Sequence, residues 1–128
     1  MARTKTSGPT EKELYILSII WKNGSSTVRQ VNKIMNRSEN TGYTTTLKQM
    51  QIMFEKGLLK RDDSAKTHIY SPANSEKIIQ EKIMSNLVDK VFAGSTEKLV
   101  MRALSSKKVS ADELLRIKSL IAQKENEF

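Results

Sequence analysis

The stretch GYTTTLKQMQIMFEKGLLKRDD, residues 42–63, decides the fold class of this chain. Its first part carries a narrow apolar stripe at helical spacing, formed by Leu47, Met50 and Phe54. Gly57 is typical of the residue that ends a helix. Beyond it, residues 58–71 contain two short β-compatible runs around a polar turn, and Pro72 closes them. The sequence therefore predicts a helix over residues 43–56 that is followed directly by a β-hairpin.

Two further amphipathic helices are predicted before this stretch. The first begins after Thr10, with Glu13 three residues later, which is the spacing of a capping box. The second repeats this spacing with Thr27 and Gln30. Three helices and then a hairpin is the order of elements in a winged helix-turn-helix, where the hairpin forms the wing.

Residues 74–128 predict three more helices with wide apolar faces. About 50 residues form only a marginal core of their own, so these faces need a packing partner. A second copy of the chain is favoured, and packing against the winged helix of the same chain is the alternative. The predicted dimer interface consists of Ile79, Ile83, Leu87, Val91, Leu99, Leu104, Leu114, Ile117 and Ile121.

The expected fold class is therefore mainly α with a small β-hairpin wing. We expect residues 1–9 to form a flexible N-terminal arm. Residues 10–73 are expected to form a winged-helix DNA-binding domain, and residues 74–128 a helical dimerisation domain.

The outward side of the predicted third helix is polar and basic, and it carries Thr45, Lys48, Gln49 and Ile52. Three consecutive threonines, residues 44–46, open this helix although β-branched residues are mediocre helix formers. In a helix-turn-helix the N-terminal residues of the recognition helix reach the base edges, and Thr, Gln and Lys can all bond there. DNA contact therefore accounts for the threonines, while stabilisation of the helix start is the alternative for at least one of them.

Basic side chains on the neighbouring elements are candidates for contacts to the DNA backbone. Arg29 and Lys33 lie on the polar side of the second helix, and Lys60, Arg61 and Lys66 lie on the hairpin. Such contacts position a protein and make its binding depend on salt, but they do not specify sequence. The alternative for the hairpin cations is a charged strand edge that prevents aggregation.

Composition supports a polyanionic partner and argues against catalysis. The net charge is +8, of which residues 1–73 carry +6 and residues 74–128 carry +2. With no cysteine and one histidine, the sequence offers no metal site, cofactor site or nucleophile-base pair. No apolar run approaches the ~20 residues of a membrane span, and no secretory signal is evident. A soluble, cytoplasmic protein that is not an enzyme is expected.

Several of these motifs together resemble the penicillinase-repressor family, which comprises BlaI and MecI type regulators and the copper-responsive CopY relatives. The resemblance is carried by YTTTLKQMQIMFEKGLLKR and IYSP, and it continues in NLVDKVFAGSTEKLVMRAL and VSADELLRIKSLI. It implies a dimeric winged-helix transcriptional repressor that binds double-stranded DNA at a palindromic, inverted-repeat operator. It also places Tyr43, Thr44, Thr45 and Lys48 in the recognition helix and Lys66 in the wing.

The sequence also departs from this family. Without cysteines, copper sensing is not expected. The Asn-Phe pair at which β-lactam-responsive members are cleaved is replaced here by residues 101–103, so induction by that cleavage is not expected either. Thr46 stands where the family usually has a buried valine, and Gln49 replaces an apolar residue. Two other functions remain open: a winged helix that contacts protein, and a repressor gated by a ligand.

Overall fold

The predicted order of three helices, a hairpin and three more helices is confirmed by a computed structural model, which describes residues 8–106 and 108–128. Of the predicted N-terminal arm, residues 1–7 lie outside the described part. The elements are α1 Glu11–Asn23, α2 Val28–Met35, α3 Tyr43–Glu55, β1 Leu59–Asp62, β2 Ile69–Pro72, α4 Glu76–Val91, α5 Thr96–Ser106 and α6 Ala111–Glu125.

The capping boxes predicted at the starts of α1 and α2 are present. The Thr10 hydroxyl accepts from the backbone N–H of Glu13 at 3.2 Å, and the Glu13 carboxylate accepts from the backbone N–H of Thr10 at 2.9 Å. Thr27 and Gln30 make the same two bonds at the start of α2. Each box satisfies two backbone N–H groups that the first turn of a helix leaves without partners. These local bonds define where α1 and α2 begin.

Gly57 connects the third helix to the hairpin. Its φ of +84° lies in the left-handed region, which a side chain disfavours. The N–H groups of Gly57 and Leu58 donate back to the carbonyls of Phe54 and Met53. This left-handed turn ends α3 and directs the chain into β1.

The hairpin is antiparallel, with Leu59 opposite Pro72 and Asp62 opposite Ile69. It is also joined to the connection between α1 and α2, because Ser26 and Tyr70 exchange two backbone hydrogen bonds of 2.9 and 2.8 Å. A two-stranded hairpin alone is marginally stable, so this third segment and packing on the helices fix its position.

The core lies between α1, α2, α3 and the hairpin. Its members are Ile16, Leu17, Ile19, Ile20, Val28, Val31, Met35, Met50, Met53, Leu59 and Tyr70. Burial of these side chains is the main stabilising contribution to the winged helix. The core thus holds α3 by one face and leaves its other face toward solvent.

The chain divides into two units, and the division lies within α4. The first unit ends at Ser85 and the second runs from Asn86 to Phe128. The first part of α4 therefore belongs with the winged helix. Ile79 is buried there, and the indole N–H of Trp21 donates to the Asn74 carbonyl at 3.1 Å just before α4.

Candidate nucleic-acid interface

The first turn of α3 presents an exposed polar surface. Tyr43, Thr44, Thr45 and Lys48 are exposed, whereas Met50 and Met53 on the opposite side are fully buried. Gln49 and Ile52 were also expected on the outward side, but both are half-buried rather than exposed. The outward surface is therefore concentrated at the N-terminal end of the helix, where recognition helices meet base edges.

Thr46 is the one threonine of the run that faces inward. Its side chain is 1% exposed, and its hydroxyl accepts from the side-chain amide of Asn32 at 2.8 Å. The interpretation of all three threonines as DNA contacts is thus wrong for Thr46, because helical geometry turns this position toward α2. The alternative, a role in the helix start, applies to this residue.

The N-terminus of α3 is open to an anion. Gly42 is the N-cap, and no side chain among the described residues caps the helix there. The first backbone N–H groups and the positive end of the helix dipole therefore point outward beside Thr44 and Thr45. This arrangement favours an anion, such as a phosphate, at the start of α3.

Arg29 of α2 lies beside this turn. Its guanidinium carbon is 5.5 Å from the centre of the Tyr43 ring, which is within range of a cation–π interaction. Lys33, one turn further along α2, is also exposed. The structure thus places Arg29 beside the first turn of α3.

The wing holds its three predicted cations in different environments. Lys60 and Lys66 are exposed. Arg61 instead stacks its guanidinium 4.2 Å from the centre of the Phe54 ring, and it pairs with Asp63 at 3.3 Å. Arg61 therefore packs the wing against α3, a role that sequence reasoning missed because Phe54 is on a different element.

The turn of the wing is stabilised by Asp62. One of its carboxylate oxygens accepts from both the backbone N–H and the hydroxyl of Ser64, at 3.0 and 2.7 Å. These bonds lower the pKa of Asp62 below its usual value. The carboxylate therefore stays charged and keeps the connection between the two strands folded back at neutral pH.

A buried carboxylate links α1 to the end of α3. The Glu13 side chain accepts from the Lys56 ammonium at 2.8 Å, and Lys56 is the C-cap residue of α3. Burial raises the pKa of Glu13, but the bonds to Lys56 and Thr10 lower it by more, so that its pKa lies below the usual value. Glu13, a member of the capping box of α1, thus also anchors the C-terminal end of α3.

The predicted dimer residues differ in how far the single chain covers them. Five of them are exposed, namely Leu87, Val91, Leu104, Leu114 and Ile121. Three are half-buried, namely Ile83, Leu99 and Ile117. Ile79 is 5% exposed within its own chain and therefore has almost no surface to offer to a partner. Its assignment to the dimer interface is corrected for this reason. Exposed Leu115 and Leu120 were not predicted to contribute.

A depression lies within the second unit, beside the connection between α4 and α5. It is lined by Val91, Phe92, Ala93, Lys98, Met101, Arg102 and Ser105. Met101 and Arg102, two of the three residues that replace the expected cleavage pair, thus line this depression. The depression is partly open to solvent.

The described residues contain no cluster of histidine, cysteine or carboxylate side chains that could hold a metal ion. Within the same residues, every helix is too short or too polar to span a bilayer.

Comparison with known proteins gives consistent similarities. The penicillinase repressor of Bacillus licheniformis is 19% identical over 117 residues, which cover 91% of each chain. The methicillin resistance regulatory protein MecI of Staphylococcus aureus (strain N315) is 21% identical over 120 residues, covering 94% of this chain and 98% of MecI. Among solved structures, a MarR family protein from Bacillus stearothermophilus has a TM-score of 0.49 at 18% identity, over 93% of this chain and 74% of that chain.

The sequence model of one family, described as the penicillinase repressor, matches residues 9–123. This match covers the winged helix and most of α6, in agreement with the resemblance found in the sequence. The chain therefore belongs to the penicillinase repressor family of DNA-binding transcriptional repressors.

Proposed function

We propose that this chain is a homodimeric, sequence-specific repressor that binds an inverted-repeat operator through α3 and the wing. The observation that carries the proposal is the exposed first turn of α3, with Thr44, Thr45 and Lys48 beside an uncapped helix N-terminus. Threonine and lysine side chains can read base edges in the major groove, and the free N–H groups can bind a phosphate. Such a repressor would act in the cytoplasm, next to the DNA it controls.

Contacts to the DNA backbone are proposed for the exposed cations around this turn. Arg29 and Lys33 flank it on α2, and Lys60 and Lys66 extend the positive surface onto the wing. Each phosphate contact adds to the salt dependence of binding. Arg61 contributes indirectly, since its stacking on Phe54 holds the wing beside α3.

Dimerisation is proposed because the second unit leaves large apolar side chains exposed. None of the described side chains of α5 and α6 is buried, and Val91, Leu115 and Leu120 are more than half exposed. Apolar patches of this kind on a monomer mark interaction sites. A two-fold dimer would place two recognition helices ~34 Å apart, or a multiple of this distance, which requires an operator with inverted half-sites.

The proposal is tested by selecting operators from a random duplex pool with the purified chain, followed by binding measurements on variants. Lys48→Glu is expected to lower operator affinity by at least about tenfold, because it replaces a base or phosphate contact by a repulsive charge. Lys118→Glu on α6 makes the same change in net charge and is the matched control. It is expected to stay within about twofold of the unchanged protein.

The outcome separates DNA recognition from the alternative of protein contact. A winged helix that contacts protein would enrich no duplex, and its DNA binding would be equally weak with both variants. Thr45→Ala completes the test, since it should lower operator affinity while the thermal unfolding temperature changes little. Equal losses of affinity and stability would assign Thr45 a structural role.

A further inference from the structure

Within residues 8–106 and 108–128, α3 is the helix that begins without a side-chain cap, since the hydroxyls of Ser75 and Ser95 also cap α4 and α5. Thr10, Thr27 and Ser110 cap α1, α2 and α6 with their hydroxyls, but α3 begins at Gly42 without a side-chain cap. Its first turn also contains β-branched residues, which favour helix only weakly. The position of this turn must therefore be determined by contacts from outside the helix.

Two asparagines supply such contacts at Thr41, just before the N-cap of α3: Asn32 lies in α2, and Asn36 is the C-cap of α2. The Asn36 side chain accepts from the N–H of Thr41 at 3.0 Å and donates to its carbonyl at 2.9 Å. The Asn32 amide donates to the same carbonyl at 2.9 Å. The backbone that leads into α3 is thus bound to α2 by three hydrogen bonds.

Asn32 extends this network into the recognition helix itself. Its amide nitrogen donates a second hydrogen bond, of 2.8 Å, to the buried hydroxyl of Thr46. That hydroxyl lies 3.4 Å from the Gly42 carbonyl and 3.8 Å from the Met35 sulfur, so it is enclosed by protein. If the hydroxyl were absent, one N–H of Asn32 would lose its partner at a site that is largely closed to water.

We propose that Asn32 and Thr46 are positioning residues for DNA recognition: their hydrogen bond sets the position of the first turn of α3 and thereby of Thr44 and Thr45. The inference rests on the proposed DNA-binding function and adds to it a determinant of specificity that does not touch DNA. The bond links one face of α2 to the inner side of α3, directly behind the residues that face the duplex. Positioning within a fraction of an ångström matters because hydrogen bonds to base edges depend steeply on distance and angle.

Two substitutions of Thr46 separate the hydroxyl from the methyl group. Thr46→Val keeps the shape and removes the hydroxyl, whereas Thr46→Ser keeps the hydroxyl and removes the methyl. The readout is the ratio of affinity for a selected operator to affinity for an unrelated duplex, measured well below the unfolding temperature of each variant. This ratio reports geometry at the bases, since binding to the unrelated duplex reflects mainly phosphate contacts.

We expect Thr46→Val to lower this ratio about tenfold, which corresponds to about 1.4 kcal/mol, and Thr46→Ser to keep it within about twofold. Affinity for the unrelated duplex should change little in both variants. A Thr46→Val protein that keeps the full ratio would overturn the inference. Equal losses in both variants would also overturn it, because they would assign the effect to packing.

Asn32→Ala provides a second route if Thr46→Val does not fold. Asn32 is half-buried, and its substitution removes the donor without inserting an apolar group beside it. Asn23→Ala is the matched control, since it removes a 2.8 Å amide bond to a backbone carbonyl at the end of α1. Only Asn32→Ala should lower the specificity ratio, and an equal effect of the two would count against a positioning role. If the unchanged chain selects no duplex at all, the proposed function itself fails, and this outcome is distinct from the others.

Discussion

The ion pair between Glu13 and Lys56 should contribute measurably to the stability of the winged helix. Glu13 is 1% exposed, and the 2.8 Å contact to Lys56 joins the first turn of α1 to the end of α3. Removing one partner of a fully buried pair costs about 3–5 kcal/mol, whereas exposed pairs contribute about 0–1 kcal/mol. The Lys56 side chain is 46% exposed, so water screens it, and the N–H of Thr10 still binds the carboxylate. We therefore expect Lys56→Met to lower the free energy of unfolding by about 2 kcal/mol.

The matched control is Lys12→Met, which breaks the pair between Lys12 and Glu39. That pair is as short, at 2.7 Å, but its side chains are 51% and 35% exposed. Its loss should therefore destabilise the protein clearly less than Lys56→Met does. Urea denaturation at fixed protein concentration measures both variants, and the concentration must be held constant because the proposed dimer couples stability to it. Equal destabilisation by the two substitutions would refute the effect assigned to burial.

The dependence on pH gives an independent check. The ordinary pKa of Glu13 would be 4.5, and the folded protein lowers it. A carboxylate with a lowered folded pKa stabilises the protein above the ordinary value, and this contribution is lost as the pH falls through the folded pKa. Glu13→Gln should therefore be less stable than the unchanged protein at neutral pH, and the difference should shrink as the pH falls below 4.5. A difference that is independent of pH would show that the charge of Glu13 is not what stabilises the fold.

Three further substitutions have definite expected outcomes. In urea denaturation, Tyr70→Phe should leave the free energy of unfolding unchanged or raise it by up to about 0.5 kcal/mol. The reason is that the buried Tyr70 hydroxyl has no hydrogen-bond partner among the described residues. A decrease of more than about 1 kcal/mol would contradict this prediction. Ala93→Gly should raise the thermal unfolding temperature, because the φ of Ala93 is +51°, a left-handed conformation that strains a residue with a side chain. A lower unfolding temperature of this variant would argue against strain at Ala93. Leu87→Glu should give monomers in sedimentation, since Leu87 is 40% exposed in the proposed interface, and a persistent dimer would place the interface elsewhere.

The order of elements could be predicted from the sequence because the residues that define it act over short distances. The capping boxes at Thr10 and Thr27 each span four residues, and both are recognisable without any knowledge of tertiary structure. Gly57 marks the end of α3 in the same way, since its left-handed backbone favours glycine. The resemblance to the repressor family then associated these elements with DNA binding.

Several side-chain roles could not be predicted, because they depend on neighbours that are distant along the chain. Thr46 belongs to a run of three threonines that look equivalent in sequence, and its partner Asn32 lies 14 positions away. Arg61 resembles any other exposed cation of a wing until Phe54 is placed beneath its guanidinium. Ile79 follows the same apolar pattern as the rest of α4, but the winged-helix unit covers it. In each case the pattern indicates which face is apolar or polar, and only the fold indicates what covers that face.

The exposed faces of α4–α6 connect stability to the proposed function. The side chains of Val91, Leu115 and Leu120 remain largely in contact with water in the single chain, so their burial stabilises only an assembly. One winged helix has a small DNA-binding surface. In a dimer, binding of one winged helix to its half-site raises the effective concentration of the other winged helix at the second half-site. Residues that never touch DNA would in this way contribute to operator affinity through the dimer. Weakening the apolar face should consequently lower affinity for a full operator much more than affinity for a single half-site.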